Sequence, residues 1–251
     1  MKRNINRFSP IPLYYQIASD IKEYLINQGY KINEKIPSEN TLSQMYNVSR
    51  VTLRQALSEL EKDGIIKKIK GYGSILCGNP HPIFQTLQLP GFNKTYYEGD
   101  ESTNIVIFTP KIIELKQVNP IPQINKALNI DEEEPLCYIK RIFYNKKISV
   151  GINNSWLALK KVPNIIEEGL INNRLSLTLS TRYNYNPNKI NNTIESSILT
   201  PSEMTELDIK FTTPCLIISS ISYLDGNKPL EYSKTIWLGD KIKFQTVSLK
   251  D

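Results

Sequence analysis

The chain of 251 residues is long enough for two modest domains with a core each, and no stretch approaches the roughly 18 uninterrupted apolar residues of a membrane span. Its start, MKRNINRFSP, carries no apolar h-region, and Cys77, Cys137 and Cys215 are too isolated for a disulfide framework or a metal site; we expect a cytosolic protein without cofactor or metal. The net charge of +6 is uneven: residues 1–78 hold 12 Lys+Arg against 7 Asp+Glu, a net of +5, which points the N-terminal third at a nucleic acid or an acidic membrane, a solvated basic surface being the bland alternative.

Along the chain, Leu13, Ile17, Ile21, Tyr24, Leu25 and Gln28 recur at helical spacing within residues 12–28, with Gly29 as a C-cap. Ser38 caps a short second helix with Leu42 and either Met45 or Tyr46 inward, ended by Asn47 in a left-handed conformation. Ser49 caps a third, in which Leu53, Ala56, Leu57 and Leu60 form an inward stripe, ended at Asp63-Gly64. Residues 65–69 and 74–77, joined by Lys70-Gly71-Tyr72-Gly73, read as a β-hairpin. GNPHPIF, residues 78–84, is expected to be a semi-rigid linker between a first domain at 1–77 and a second at 85–251. In the second, apolar segments at 104–113, 135–144, 148–158, 215–224 and 230–238 suggest strands, and Thr200-Pro201-Ser202-Glu203 is a capping box that starts a helix at Pro201, giving an α+β domain.

The leucine stripe of the third helix orients its wheel. Val51, Arg54, Gln55 and Ser58 then point outward, with Arg50 and Thr52 on the flanks near the N-terminus. Arginine at the start of a helix opposes the helix dipole, so an anion outside the protein is the natural explanation. A helix-turn-helix presents its second helix in this way, with Arg gripping guanine and an apolar tip such as Val51 meeting a thymine methyl. The helix starts at Ser38 and Ser49 offer phosphate sites, and Lys67, Lys68 and Lys70 around the Gly-x-Gly tip would form a wing in the minor groove. A small helical bundle with a charged face remains the alternative for each part taken singly.

The stretch PIPLYYQIASDIKEYLINQGY together with KIPSENTLSQMYNVSRVTLRQALSELEKDGIIKKIKGYGSIL resembles the winged helix-turn-helix of the GntR family of bacterial transcription regulators over residues 11–76. The resemblance implies DNA contacts at Ser49, Arg50, Thr52, Arg54 and Gly71. Two departures stand out: YKINEKIPSE lacks the Pro-Gly that commonly precedes the second helix, and Asn40 fills a position that is often basic. We therefore take Ser38, Asn40, Ser49, Arg50, Val51, Thr52, Arg54, Gln55, Lys68, Lys70 and Gly71 as candidate DNA-binding residues.

Residues 85–251 are similar to the ligand-sensing UTRA domain of the HutC-type branch, whose fold resembles chorismate lyase, through PLCYIKRIFYNKKISVGINNSWL, Ser176-Leu177 and GNKPLEYSKTIWLGDKIKF. The resemblance implies an effector site in which Arg141, Ser176 and Glu231 keep matching positions. Phe143 replaces a second arginine, Asn153 an acid, and Thr178 and Trp237 each a tyrosine. A pair of arginines suits a dianion; one arginine beside an aromatic suits a carboxylate or other monoanion with an apolar body. Arg141 reads equally as an effector anchor or as a strand arginine paired with a nearby acid.

His81 is the lone histidine and lies in the linker, so Ser-His-Asp or Cys-His catalysis lacks a base, and Asp131-Glu132-Glu133-Glu134 reads as a solvated turn. The stretch LPGFNKTYYEGD at 89–100 has glycines without a phosphate-loop pattern. The expectation is a homodimeric repressor that binds a near-palindromic operator and answers to a small-molecule effector. Two rivals are an architectural DNA binder with a degenerate sensor and a lyase-like enzyme on a DNA tether.

Overall fold

Pro12 fixes the entry to the first helix, α1 (Leu13–Asn27), which buries Ile17, Ala18, Ile21 and Leu25 and ends where Gly29 takes a φ of 70°. Gln28, expected on the inner face, is exposed, because the helix closes at Gln28 in its C-cap role before another turn can form. The computed structural model describes residues 5–78, 80, 83–86, 108–145 and 147–245. The chain divides into two compact units, Met1–Ile83 and Phe84–Asp251. Part of the expected linker, His81 included, and all of 89–100 lie outside the described residues.

In the first unit, α2 (Glu39–Tyr46) starts at Ser38, whose side chain accepts from the Thr41 N–H at 3.1 Å, and stops at Asn47, whose φ of 50° is left-handed. Tyr46, not Met45, is the buried residue of its last turn, and the Tyr46 hydroxyl donates to Asp20 Oδ2 at 2.6 Å. The next helix, α3 (Arg50–Lys62), is capped by Ser49 and buries Leu53, Ala56, Leu57 and Leu60 against α1 and α2. Strands β1 (Ile66–Ile69) and β2 (Gly73–Leu76) pair antiparallel as the expected hairpin.

The loop that lacks the Pro-Gly dipeptide turns at Asn33, which takes a φ of 71°. Asparagine tolerates that region because its short polar side chain can bond locally. The loop then runs beside β2: the Asn33 N–H donates to Leu76 O at 2.7 Å, the Leu76 N–H to Glu34 O at 2.9 Å and the Ile36 N–H to Ser74 O at 3.0 Å. Lys35 opposite Ile75 completes a third rung beside the hairpin.

At the start of the second unit, β3 (Ile83–Thr86, its first residue the last of the first unit) precedes β4 (Thr109–Val118), α4 (Pro122–Leu128), β5 (Leu136–Asn145), β6 (Ile148–Ala158), α5 (Ile165–Glu168), α6 (Leu175–Tyr183), β7 (Lys189–Ile198), α7 (Pro201–Glu206), β8 (Pro214–Leu224), β9 (Lys228–Leu238) and β10 (Ile242–Gln245). Six strands form one antiparallel sheet in the order β4-β5-β6-β9-β8-β7, and β3 pairs with β10. Helices cover both faces. Leu175 and Leu179 of α6 and Ile165 of α5 pack on Cys137, Ile139 and Leu157, whereas α7 and its flanks bring Leu199 and Leu207 to Ile142, Ile152 and Ile236.

Residues 104–107 of the strand expected at 104–113 lie outside the described residues; residues 109–113 fall on β4, which starts at Thr109 and runs on to Val118. Three of the described strands went unread: β3, which begins within the expected linker, β10, and β7, whose isoleucines at 190, 194 and 198 are spaced by four and fit a helix as well as a strand. The capping box at Thr200 and Glu203 is complete in both directions. Residues 131–134 form the expected turn, with Glu134 N–H donating to Asp131 O at 3.1 Å.

Candidate DNA interface and effector site

On α3 the wheel reading holds in space: Arg50, Val51, Arg54, Gln55 and Ser58 are exposed, Thr52 is half-buried, and Val51 keeps 69% of its surface in solvent. A single exposed valine is ordinary on a protein surface, and at this place on α3 it is available to an apolar partner such as a thymine methyl. The cap hydroxyls are engaged within the protein. Ser49 Oγ accepts from the Thr52 N–H at 3.2 Å and lies 2.9 Å from Thr52 Oγ1, and Ser38 Oγ lies 2.8 Å from Thr41 Oγ1. The helix starts are therefore organised as caps, and an anion there would meet the remaining first-turn N–H groups rather than the serines. Asn40 is exposed on α2.

Arg54 and Lys68, taken as DNA-binding candidates with no partner inside the protein assigned to them, each have one. Glu39, the first residue of α2, receives Arg54 Nε on Oε2 at 2.9 Å and Lys68 Nζ on Oε1 at 2.8 Å. The pairing arises from tertiary placement, since the three residues come from α2, α3 and β1. Hydrogen bonds from Lys68 first and Arg54 second hold the Glu39 carboxyl below its ordinary pKa, against the opposing effect of partial burial. Glu61 Oε1 accepts from the Lys68 N–H at 3.2 Å, a second tie between α3 and the hairpin.

At the hairpin tip Lys70 and Gly71 are exposed, and Gly71 takes a φ of 79°, a conformation that glycine adopts without strain. Lys35 Nζ sits 4.5 Å from the centre of the Tyr72 ring, and Arg7 Nη2 donates to Asn47 O at 2.8 Å. These two cations and Glu39 were missed by sequence reasoning. Arg7 and Lys35 lie outside the two helices of the helix-turn-helix, and Glu39, at the start of α2, shows its partners only in the folded chain; the 31–36 segment running beside β2 is what would have signalled Lys35.

In the sheet, register partners share a face. Phe143, Gly151 and Trp237 are in register, as are Arg141, Asn153 and Thr235, and Leu157 with Glu231. Arg141, Phe143, Asn153, Glu231 and Trp237 thus lie on one face, the face that α6 covers. Arg141 is 5% exposed. Its Nε and Nη2 donate to Asn153 Oδ1 at 3.2 and 2.5 Å, and Nη2 reaches Ser155 Oγ at 3.3 Å. Asn153 Nδ2 in turn donates to Thr235 Oγ1 at 2.8 Å. Among the described residues no carboxylate pairs with Arg141, so the acid-paired alternative is corrected: its partners are an amide and a hydroxyl. A buried cation held by neutral groups carries a large desolvation cost that an anion would offset.

Phe143 and Trp237 are buried and stacked on each other, with Phe108 tilted against both. They form an apolar floor beside Arg141, whose guanidinium carbon is 5.8 Å from the Phe143 ring centre. Glu231 is half-buried, opposite Ser222, whose buried Oγ lacks a partner among the described residues. On α6 Ser176 is exposed, and Thr178 is buried with its hydroxyl donating to Arg174 O and accepting from the Ile171 N–H, both at 2.8 Å. Thr178 therefore serves the turn before its own helix and is not aimed at Arg141.

A winged helix whose α3 exposes Arg50, Val51 and Arg54, and a sheet domain that buries Arg141, are the parts of a DNA-binding regulator with an effector domain. The chain belongs to the gntR family of bacterial regulatory proteins, which it matches over residues 13–75, and carries a UTRA domain at 108–243. It is 26% identical over 245 residues to the HTH-type transcriptional repressor NagR of Bacillus subtilis, with 96% of each chain covered. It is 25% identical over 244 residues to the mannosyl-D-glycerate transport/metabolism system repressor MngR of Escherichia coli, covering 94% of this chain and 96% of that one. PhnF from Mycobacterium smegmatis shares the fold with a TM-score of 0.61 at 18% identity, over 94% of this chain and 100% of that one. Among the described residues no helix is long and apolar enough to cross a membrane.

Proposed function

We propose that the chain is a cytoplasmic, homodimeric repressor of the HutC-type branch, without catalytic activity, that releases a near-palindromic operator when a small anionic effector binds its UTRA domain. Two-fold symmetry in the protein would place the two α3 helices on half-sites about one helical turn apart. The observation that supports the DNA half is the exposed surface of α3, on which Val51, Arg50, Arg54 and Gln55 lead outward from a buried leucine stripe. The effector shifts the equilibrium only by binding the DNA-free arrangement better than the DNA-bound one.

Arg141 carries the effector half. One buried guanidinium beside the Phe143–Trp237 floor suits a carboxylate or another singly charged metabolite more than a sugar phosphate, whose dianion would call for a second cation. A relative named for a mannosyl-D-glycerate system is in keeping with a carboxylate. The test is a thermal-shift panel of carboxylates and sugar phosphates on the full chain, followed by gel shift on an operator selected from random duplex. Release of the operator by a carboxylate supports the reading. Stabilisation by a sugar phosphate alone would overturn the choice of ligand, turnover of the hit would favour the enzyme, and equal retention of operator and random duplex would favour the architectural binder.

A further inference from the structure

A carboxylate on a surface that faces phosphates is electrostatically unfavourable, and yet Glu39 stands between the reading helix and the wing. It lines a cleft with Arg54, Ser58, Glu61 and Lys68, so it is no stray acid on a remote face. Its two oxygens are divided, Oε2 to Arg54 on α3 and Oε1 to Lys68 on β1. The bond to Arg54 uses Nε alone. The terminal Nη groups, the pair that grips guanine O6 and N7, are left without a hydrogen bond to that carboxylate. A long arginine left unheld would sample many rotamers and find phosphates as readily as bases.

We propose that Glu39 is a specificity-determining positioning residue: it fixes the direction in which Arg54 presents its Nη groups to a base edge and withholds Lys68 from indiscriminate phosphate contact. The inference rests on the reading of α3 as the base-reading helix. In this arrangement affinity for any duplex is given up in exchange for discrimination. Glu39 touches no base; it acts through Arg54, and through Lys68 it couples the wing to the same carboxylate.

The test compares wild type, Glu39→Gln, Glu39→Asp and Arg54→Ala as full chains on a selected operator and a scrambled duplex over a salt series. Glu39→Gln should bind the scrambled duplex more tightly, with a log K against log salt slope steeper by about one as Lys68 gains a phosphate. Its preference for operator over scrambled duplex should fall about tenfold or more, as when one bidentate base contact is lost. Glu39→Asp, which keeps the charge, should recover part of that preference. A purely structural Glu39 would instead weaken both duplexes alike, and that result, or an unchanged preference in Glu39→Gln, overturns the proposal. If Arg54→Ala loses the preference and Glu39→Gln keeps it, the role of Glu39 alone fails; if Arg54→Ala also keeps it, the reading of α3 fails as well.

Discussion

Phe143 and Trp237 lie face to face, 5.3 Å between ring centres and 11° apart in plane, on either side of Gly151, which is in register with both. The glycine is what permits the stack. A Cβ there would come within 2.6 Å of Ile236 O and 2.8 Å of Trp237 Cε3. Gly151→Ala should therefore destabilise the sheet domain by about 1–3 kcal/mol, as overpacking does elsewhere. A lowered urea midpoint followed by tryptophan fluorescence would verify it; an unchanged midpoint would mean that β9 moves aside without cost.

Asn153 is the main partner of Arg141 and the natural place to supply a counter-ion. Asn153→Asp puts a carboxylate at 2.5 Å from Nη2 in the present geometry, and Thr235 can turn its hydroxyl to donate. The melting temperature should hold or rise. Any carboxylate that stabilises the wild type should lose about 1–4 kcal/mol of affinity to like-charge repulsion at close range. Undiminished binding in calorimetry would make Arg141 a structural arginine.

Arg50→Ala and Arg54→Ala should each cost about 1–3 kcal/mol at the operator and flatten base preference at one position. Lys68→Ala should leave the salt slope of the wild type nearly unchanged, because Glu39 holds that ammonium, and should lower the slope by about one in the Glu39→Gln background. Because Lys68 shares Glu39 with Arg54, the double variant Arg54→Ala/Lys68→Ala should deviate from additivity, which fluorescence anisotropy on operator and scrambled duplexes would reveal.

The Glu39 ion pairs set a pH dependence. A carboxyl whose folded pKa is depressed contributes stability above its unfolded value, here 4.5, and loses it as the pH falls through the folded value. The gap in melting temperature between wild type and Glu39→Gln should thus be fully open at neutral pH and close below pH 4.5. A gap that stays constant into the acid range would show that the amide costs stability for reasons other than charge.

Of the three cysteines, Cys77 is exposed, while Cys137 and Cys215 are buried. Burial pushes the Cys137 thiol up to about 12 and also raises Cys215. One equivalent of an alkylating reagent should react with the native protein at neutral pH, at Cys77 by peptide mapping, and three after denaturation.

Where local rules and burial agreed, the residues could be read directly. The Leu53, Ala56, Leu57, Leu60 stripe oriented α3, Ser38 and Ser49 marked the starts of α2 and α3, and Thr200 with Glu203 located α7. Edge strand β7 escaped because little of it is buried, so its isoleucines carry no strand period. Glu39 escaped because its partners are 15 and 29 residues away, and an acid at a helix start has a sufficient local explanation in the dipole. Resemblance pointed to Arg141 as a candidate, but the face it shares with Phe143, Asn153, Glu231 and Trp237 and the neutrality of its partners became visible only when β5, β6 and β9 were in register.

The strand-like path of residues 33–36 beside β2 bears on the kinetics of the wing. A two-stranded hairpin alone in water is marginal and frays. With Asn33, Glu34 and Ile36 bonded along its inner strand, and Lys35 lying over Tyr72, the wing is held in shape before DNA arrives. Less conformational entropy then remains to be lost on docking, so the loop between α1 and α2 bears on how much of the contact energy survives as affinity.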